Sequence, residues 1–108
     1  MEINEEFLMT LLCQAGAARS AVMQSLVEAR KGDFANAYAS FTAADEALEE
    51  VHKTQTELIG FDEGEGKIKM TLILTHIQDH IMNAMLCRDL AFEIIDLQSK
   101  IQNKELEC

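Results

Sequence analysis

Residues 72–97 read LILTHIQDHIMNAMLCRDLAFEIIDL, and this stretch decides the fold because it is apolar around most of a helix circumference. At about 100° per residue, one mostly apolar seam runs through Met70, Ile73, Ile77, His80, Ala84, Cys87, Ala91 and Ile94. A second line of residues, on a different side of the helix, contains Leu72, Leu86, Leu90, Ile94 and Leu97. A helix that is apolar on several sides is buried on more than one side. Two further helices of one small chain cover only part of it, so the stretch predicts the innermost helix of an oligomer.

Glycine and aspartate residues divide the chain into three predicted helices, at about 4–31, 34–59 and 67–103. Gly32 is typical of a residue just past a helix end, and Asp33 of the cap that starts the next helix. Residues 60–66 hold three of the five glycines and predict the second connection. The pattern predicts an all-α fold: one domain over residues 1–108, folded as an antiparallel three-helix bundle in each subunit.

The second helix has a heptad seam typical of a left-handed bundle, with apolar residues at alternating steps of three and four. The seam contains Phe34, Ala37, Phe41, Ala44, Leu48, Val51, Gln55 and Leu58. The first helix has a looser stripe through Leu8, Leu12, Ala15, Ala18, Val22, Leu26 and Ala29. Its small residues, from Ala15 to Ala18, predict a close approach between helices.

The composition disfavours several classes of protein function and cellular location. The chain has 108 residues, no proline or tryptophan, and a net charge of −10, which argues against nucleic acids and anionic membranes as partners. Cys13, Cys87 and Cys108 form neither a CxxC pair nor an even framework, so free thiols are expected. The N-terminal residues lack the basic region of a signal peptide, and no apolar run reaches membrane-spanning length. A cytoplasmic protein is expected.

His76, Asp79 and His80 interrupt the apolar third helix. Residues three and four apart share a helix face, so these side chains project toward one region. A buried polar group without a partner costs roughly 1–3 kcal/mol. A single histidine in such a place is usually a hydrogen-bonded core residue, but two histidines and a carboxylate favour a functional site. His52, alone on the second helix, is interpreted as structural or incidental.

Two kinds of chemistry fit this cluster. Neutral imidazole is a nucleophile toward phosphorus, and its pKa near neutrality also makes it a leaving group, as a phosphoryl relay requires. The i,i+4 spacing of His76 and His80 also suits zinc, although no cysteine has ligand-like spacing. A glycine-rich phosphate loop ending in Lys-Ser/Thr is absent, which disfavours a nucleotide-binding kinase. A phosphoryl carrier and a metal-stabilised helical scaffold without chemistry are therefore the two hypotheses.

The sequence also carries landmarks of a known family. They are Gly16-Ala17-Ala18-Arg19-Ser20, Gly32-Asp33-Phe34, His52 with Gln55-Thr56, Gly64-Glu65-Gly66-Lys67, and His76-Ile77-Gln78-Asp79-His80-Ile81-Met82. With them, the chain from about Phe7 to Gln102 strongly resembles the lactose/cellobiose-type enzyme IIA of the bacterial phosphoenolpyruvate-dependent sugar phosphotransferase system. The last of these motifs is the most specific.

The resemblance implies a cytoplasmic homotrimer with nine helices. It implies that His76 accepts a phosphoryl group from the histidine phosphocarrier protein and passes it to a cysteine of enzyme IIB. The membrane component then uses it to phosphorylate an incoming disaccharide. Gln78 and His80 would lie near the phosphorylated imidazole, and Asp79 from three subunits would hold one divalent cation, usually Mg²⁺, per trimer. The loop at residues 64–67 favours the cellobiose/chitobiose branch over the lactose branch.

Overall fold

Three long helices form an antiparallel bundle in which the chain runs up, down and up. They are α1 (Glu5–Arg30), α2 (Phe34–Asp62) and α3 (Leu72–Glu107), and each contacts the other two. The computed structural model describes residues 2–107, and within that range the chain has no strand. The bundle measures 60 × 24 × 20 Å. The all-α class and the antiparallel three-helix subunit are confirmed.

The first connection is set by local caps. Asn4 begins α1, where its side chain accepts a hydrogen bond from the backbone N–H of Phe7 at 2.9 Å. Gly32 follows the end of α1 with φ +85°, a left-handed conformation that favours glycine. Asp33 then caps α2 and accepts from the backbone N–H of Asn36 at 3.2 Å. These caps were the basis of the predicted break, and it is confirmed to within a residue.

The second connection differs from the prediction. The second helix continues through Gly60 to Asp62, and Glu63 ends it in the left-handed region at φ 55°. The Asp62 carboxylate accepts hydrogen bonds from the backbone N–H groups of Ile68 at 2.9 Å and Gly66 at 3.3 Å. These bonds fold the loop back over the end of α2, and Ile68 enters the core.

The predicted start of the third helix at residue 67 is therefore wrong, because α3 begins at Leu72. Residues 67–71 are held outside the helix by the contacts of Ile68. The Thr71 hydroxyl accepts from the backbone N–H of Leu74 at 3.2 Å, which is the bond of a helix cap. Thr71, which the predicted bounds place inside the third helix, instead marks its beginning.

The core follows the predicted seam of α2 closely. The buried positions of this helix are Ala37, Phe41, Ala44, Leu48, Val51, Gln55 and Leu58. In α1, Ala15 and Ala18 are buried as predicted, but a Cβ built at Gly16 would meet nothing within 4 Å. Close packing within the chain therefore explains the two alanines and does not explain the glycine.

The third helix is rotated relative to its predicted seam. Its buried side is formed by Leu74, Ile77, Ile81, Ala84, Ala91 and Ile95. Ile73 and Ile94, predicted for the seam, are exposed in the single chain. The second predicted line is also exposed, with Leu72, Leu86 and Leu90 at 88%, 58% and 55%. One chain thus leaves a long apolar face of α3 uncovered, as the sequence predicts for an oligomer.

Among the described residues, none of the helices is both long and apolar enough to span a bilayer.

Candidate functional site

The two histidines of α3 form a contacting pair. Nε2 of His76 lies 3.1 Å from Nε2 of His80, and the rings meet edge to face at a centroid distance of 4.5 Å and an angle of 79°. The i,i+4 spacing of a continuous helix produces this contact, since it places the residues one turn apart on one face. His76 is exposed, whereas His80 is half-buried. The predicted pairing is confirmed, and His76 is the more accessible of the two.

Gln78 lies on another side of the helix. Two residues correspond to about 200° of rotation, so its side chain leaves α3 on the side opposite that of His76. Its Oε1 accepts a hydrogen bond from Nε2 of Gln55 in α2 at 2.6 Å, and the same Nε2 lies 3.6 Å from Sδ of Met82. Within one chain, the structure does not bring Gln78 to His76. Its supporting role stays a prediction, and it requires Gln78 either to leave Gln55 or to act from a neighbouring subunit.

Asp79 is exposed on α3 and shares the uncovered side of the helix with His76 and the leucines of the apolar face. Over residues 2–107, no three His, Cys, Asp or Glu side chains of one chain converge on a metal site. The predicted site differs from such a cluster, since each subunit contributes one carboxylate. Carboxylate oxygens suit Mg²⁺, and the exposure of Asp79 leaves it free to meet its copies in an oligomer.

A cavity of about 390 Å³ lies between α1 and α3 beside His80. Gly16, Arg19 and Ser20 of α1 line it together with His80. The one lining side chain with a permanent positive charge, Arg19, therefore comes from α1.

The other singled-out residues lie apart from this pair. His52 is exposed on α2 and lines a separate cavity with Arg88 and Met85, and its interpretation as structural or incidental stays a prediction. Cys13 is exposed, Cys87 is half-buried, and both are free thiols as predicted. The prediction for Cys108 falls outside the described residues.

Two residues of this region were not assigned a site role from the sequence. Gln55 is a polar residue in an otherwise apolar heptad seam, and that interruption was the available indication of its bond to Gln78. Arg19 lies in a family-like motif, but only the packing of α1 against α3 places it beside His80.

Comparison with known proteins agrees with this geometry. The family model for the lactose/cellobiose-specific IIA subunit of the phosphotransferase system matches residues 6–99. The N,N'-diacetylchitobiose-specific EIIA component of Escherichia coli is 46% identical over 98 residues, which span 91% of this chain and 84% of that protein.

Two solved structures are similar along nearly their whole length. The crystal structure of the cellobiose-specific enzyme IIA from Bacillus anthracis has a TM-score of 0.87 at 38% identity, covering 96% of this chain and 95% of that one. The IIA(Chitobiose) in the solution structure of its complex with HPr, from Escherichia coli, has a TM-score of 0.80 at 44% identity, covering 94% and 99%.

The chain belongs to the lactose/cellobiose-specific IIA family of the phosphotransferase system. It is a phosphoryl-carrying component of that system, as the His76–His80 region predicted.

Proposed function

We propose that Nε2 of His76 is the atom that carries the phosphoryl group. The observation that supports this most directly is the 3.1 Å contact between Nε2 of His76 and Nε2 of His80, with His76 on the exposed side. An accessible imidazole can meet a phosphorylated partner, and its neighbour on the next turn can hold a proton near the transferred group.

The contact constrains how protons are arranged before transfer, because either ring can donate across it but not both at once. Only one proton lies between the two nitrogens, so His80 donates from Nε2–H when His76 presents its lone pair at Nε2. In the neutral ring of His76 the proton is then on Nδ1. The incoming phosphorus takes the lone pair of His76, and Nε2–H of His80 becomes a donor to a phosphoryl oxygen. His80 thus supports the group through a charge-assisted hydrogen bond.

A homotrimer of nine helices is the assembly that we propose around this site. The uncovered apolar face of α3, with Leu86 and Leu90, supplies the surface that helices of three subunits bury together. Asp79 lies on the same side of the helix, so its three copies meet near the axis and repel one another. One divalent cation per trimer, Mg²⁺ by the chemistry of its ligands, relieves that repulsion. The cation has no part in the phosphoryl step.

The partners and the sugar follow from the relatives. HPr, the histidine phosphocarrier protein, is the proposed donor, since the similar IIA(Chitobiose) has been solved in complex with it. A cysteine of enzyme IIB is the proposed acceptor, and the location is the cytoplasm. The sugar is a disaccharide of the cellobiose/chitobiose branch, because the similar proteins named above serve chitobiose and cellobiose.

Labelling tests the assignment of His76. Incubation with phosphoenolpyruvate, enzyme I and HPr is expected to add one acid-labile phosphoryl group to each chain. His76→Ala should abolish labelling with little change in stability, because the side chain is exposed, whereas the control His52→Ala should label fully. Labelling that survives His76→Ala, or that maps to His80, contradicts the assignment. Absence of any labelling in the wild type would favour the scaffold hypothesis.

A further inference from the structure

The cavity beside His80 differs from most of the protein in the charge of its side chains. The whole chain carries a net charge of −10, but the side chains lining this cavity include Arg19, Ser20 and His80 and no carboxylate. A phosphoryl group brings negative charge to whichever site it enters. The cavity therefore offers an incoming anion a cationic side chain of the same chain, in a lining that also includes His80.

Arg19 is available for such a role. In the part of the chain that the structure describes, Arg19 forms no salt bridge, although acidic residues outnumber basic ones by 19 to 9. Arg88 of α3 contrasts with it, because Nε and Nη1 of Arg88 are bound to Asp45 at 2.7 Å and Asp89 at 2.9 Å. Arg30 and Lys53 also lack a salt bridge among the described residues, so what distinguishes Arg19 is that its unpaired guanidinium lies in the same cavity as His80.

Gly16 supplies a second, independent observation. Glycine in the interior of a helix is unfavourable relative to alanine, and it persists where something approaches the backbone closely. A Cβ built at Gly16 would meet nothing within 4 Å, so no group of this chain requires the glycine. The open space lies in the wall of the cavity that holds Arg19 and His80. The missing side chain at Gly16 thus leaves that wall of the cavity open.

We propose that Arg19 is a catalytic residue whose guanidinium binds the non-bridging oxygens of the phosphoryl group during transfer to and from His76. In the forward step the P–N bond to the donor imidazole breaks, its electron pair stays on the donor nitrogen, and a P–N bond to Nε2 of His76 forms. Charge is conserved, and no additional reactant is needed. Arginine suits this role because its planar fork binds two phosphoryl oxygens at once. The inference rests on the proposed phosphorylation of His76.

Single-turnover transfer from phosphorylated HPr tests the proposal. Rapid-quench measurement with ³²P gives the rate at saturating donor, the apparent affinity and the final labelling of each variant. Arg19→Gln should transfer about 10–100-fold more slowly at saturation, yet reach full labelling. Arg19→Lys should be intermediate, because it keeps the charge and loses the fork. Arg30→Gln removes the same charge from the end of the same helix and should transfer within about twofold of wild type.

The outcomes separate the inference from the function on which it rests. A rate for Arg19→Gln equal to that of Arg30→Gln overturns the role of Arg19 and leaves His76 phosphorylation intact. A loss confined to apparent affinity also overturns it, since Arg19 would then only dock the donor. If sedimentation shows that Arg19→Gln is not trimeric, Arg19→Lys decides: a trimer with the wild-type rate overturns the proposal. Absence of wild-type labelling on His76 defeats the proposed function itself.

Discussion

The apolar face of α3 gives the most quantitative prediction. Leu86 and Leu90 are 58% and 55% exposed in the single chain. Full burial of a leucine contributes roughly 1.5–3 kcal/mol, so covering the remaining half contributes about 1 kcal/mol for each side chain. A trimer has six such side chains. Replacing both leucines with alanine, which keeps a little of the apolar area, should therefore weaken the trimer by about 4–6 kcal/mol.

That loss is large enough to measure directly. With about 1.4 kcal/mol for each factor of ten, the trimer association constant should fall by about 10³–10⁴. Sedimentation velocity over a concentration series should show subunits at concentrations where the wild type is trimeric. The double variant Leu86→Met/Leu90→Met keeps apolar volume at the same positions and should remain trimeric. An unchanged association constant for the alanine variant would show that this face is not the trimer interface.

Two further predictions concern charged residues. Asp79→Leu should give a folded trimer whose melting temperature does not respond to chelator, because the axial repulsion and the need for a cation are both removed. A wild-type melting temperature that also does not respond to chelator would contradict the proposal that three Asp79 carboxylates meet at the axis. The pKa of Asp62 is lowered from 3.8, chiefly by the backbone N–H of Ile68, so its contribution to stability is present above the unfolded pKa and is lost as pH falls through the lower folded pKa. Asp62→Asn should thus lower the melting temperature at about pH 7, and the difference in melting temperature between variant and wild type should become smaller at pH values below the unfolded pKa. The surface control Glu93→Gln should leave the dependence of melting temperature on pH unchanged. Equal shifts in both variants would exclude a specific role for the loop bonds.

The parts of the fold that the sequence predicted well depend on local patterns. The seam of α2 follows a heptad rhythm, and the break near Gly32 follows from a glycine that needs a positive φ and an aspartate that caps the next helix. The start of α3 could not be read in the same way. Ile68 and Met70 continue the apolar period of the helix, but the backbone there is bound to Asp62, six residues before Ile68. Hydrophobic periodicity does not predict which carboxylate accepts a hydrogen bond from a given backbone N–H.

The residues of the candidate site also separate into those that local sequence patterns predict and those that depend on the packing of the helices. The contact of His76 with His80 follows from helix geometry alone and was predictable from spacing. The placement of Gln78 depends on a partner in α2, because its side chain is bound to Gln55. The cavity at Arg19 depends on how α1 lies against α3. Side chains that meet across helices require the packing of the bundle, which the sequence constrains only through its apolar seams.

The histidine pair has a consequence for the timing of the relay. His76 and His80 occupy successive turns of one uninterrupted helix, so their relative position is set by the helix pitch as soon as the chain folds. Within α3, no break in the helix separates the two histidines. With the phosphoryl group on Nε2 of His76, as proposed, the carrier must nevertheless release one protein and admit another at that nitrogen on every cycle. Its throughput is then governed by how long each encounter lasts, which favours small contact surfaces that dissociate quickly over tight and durable complexes.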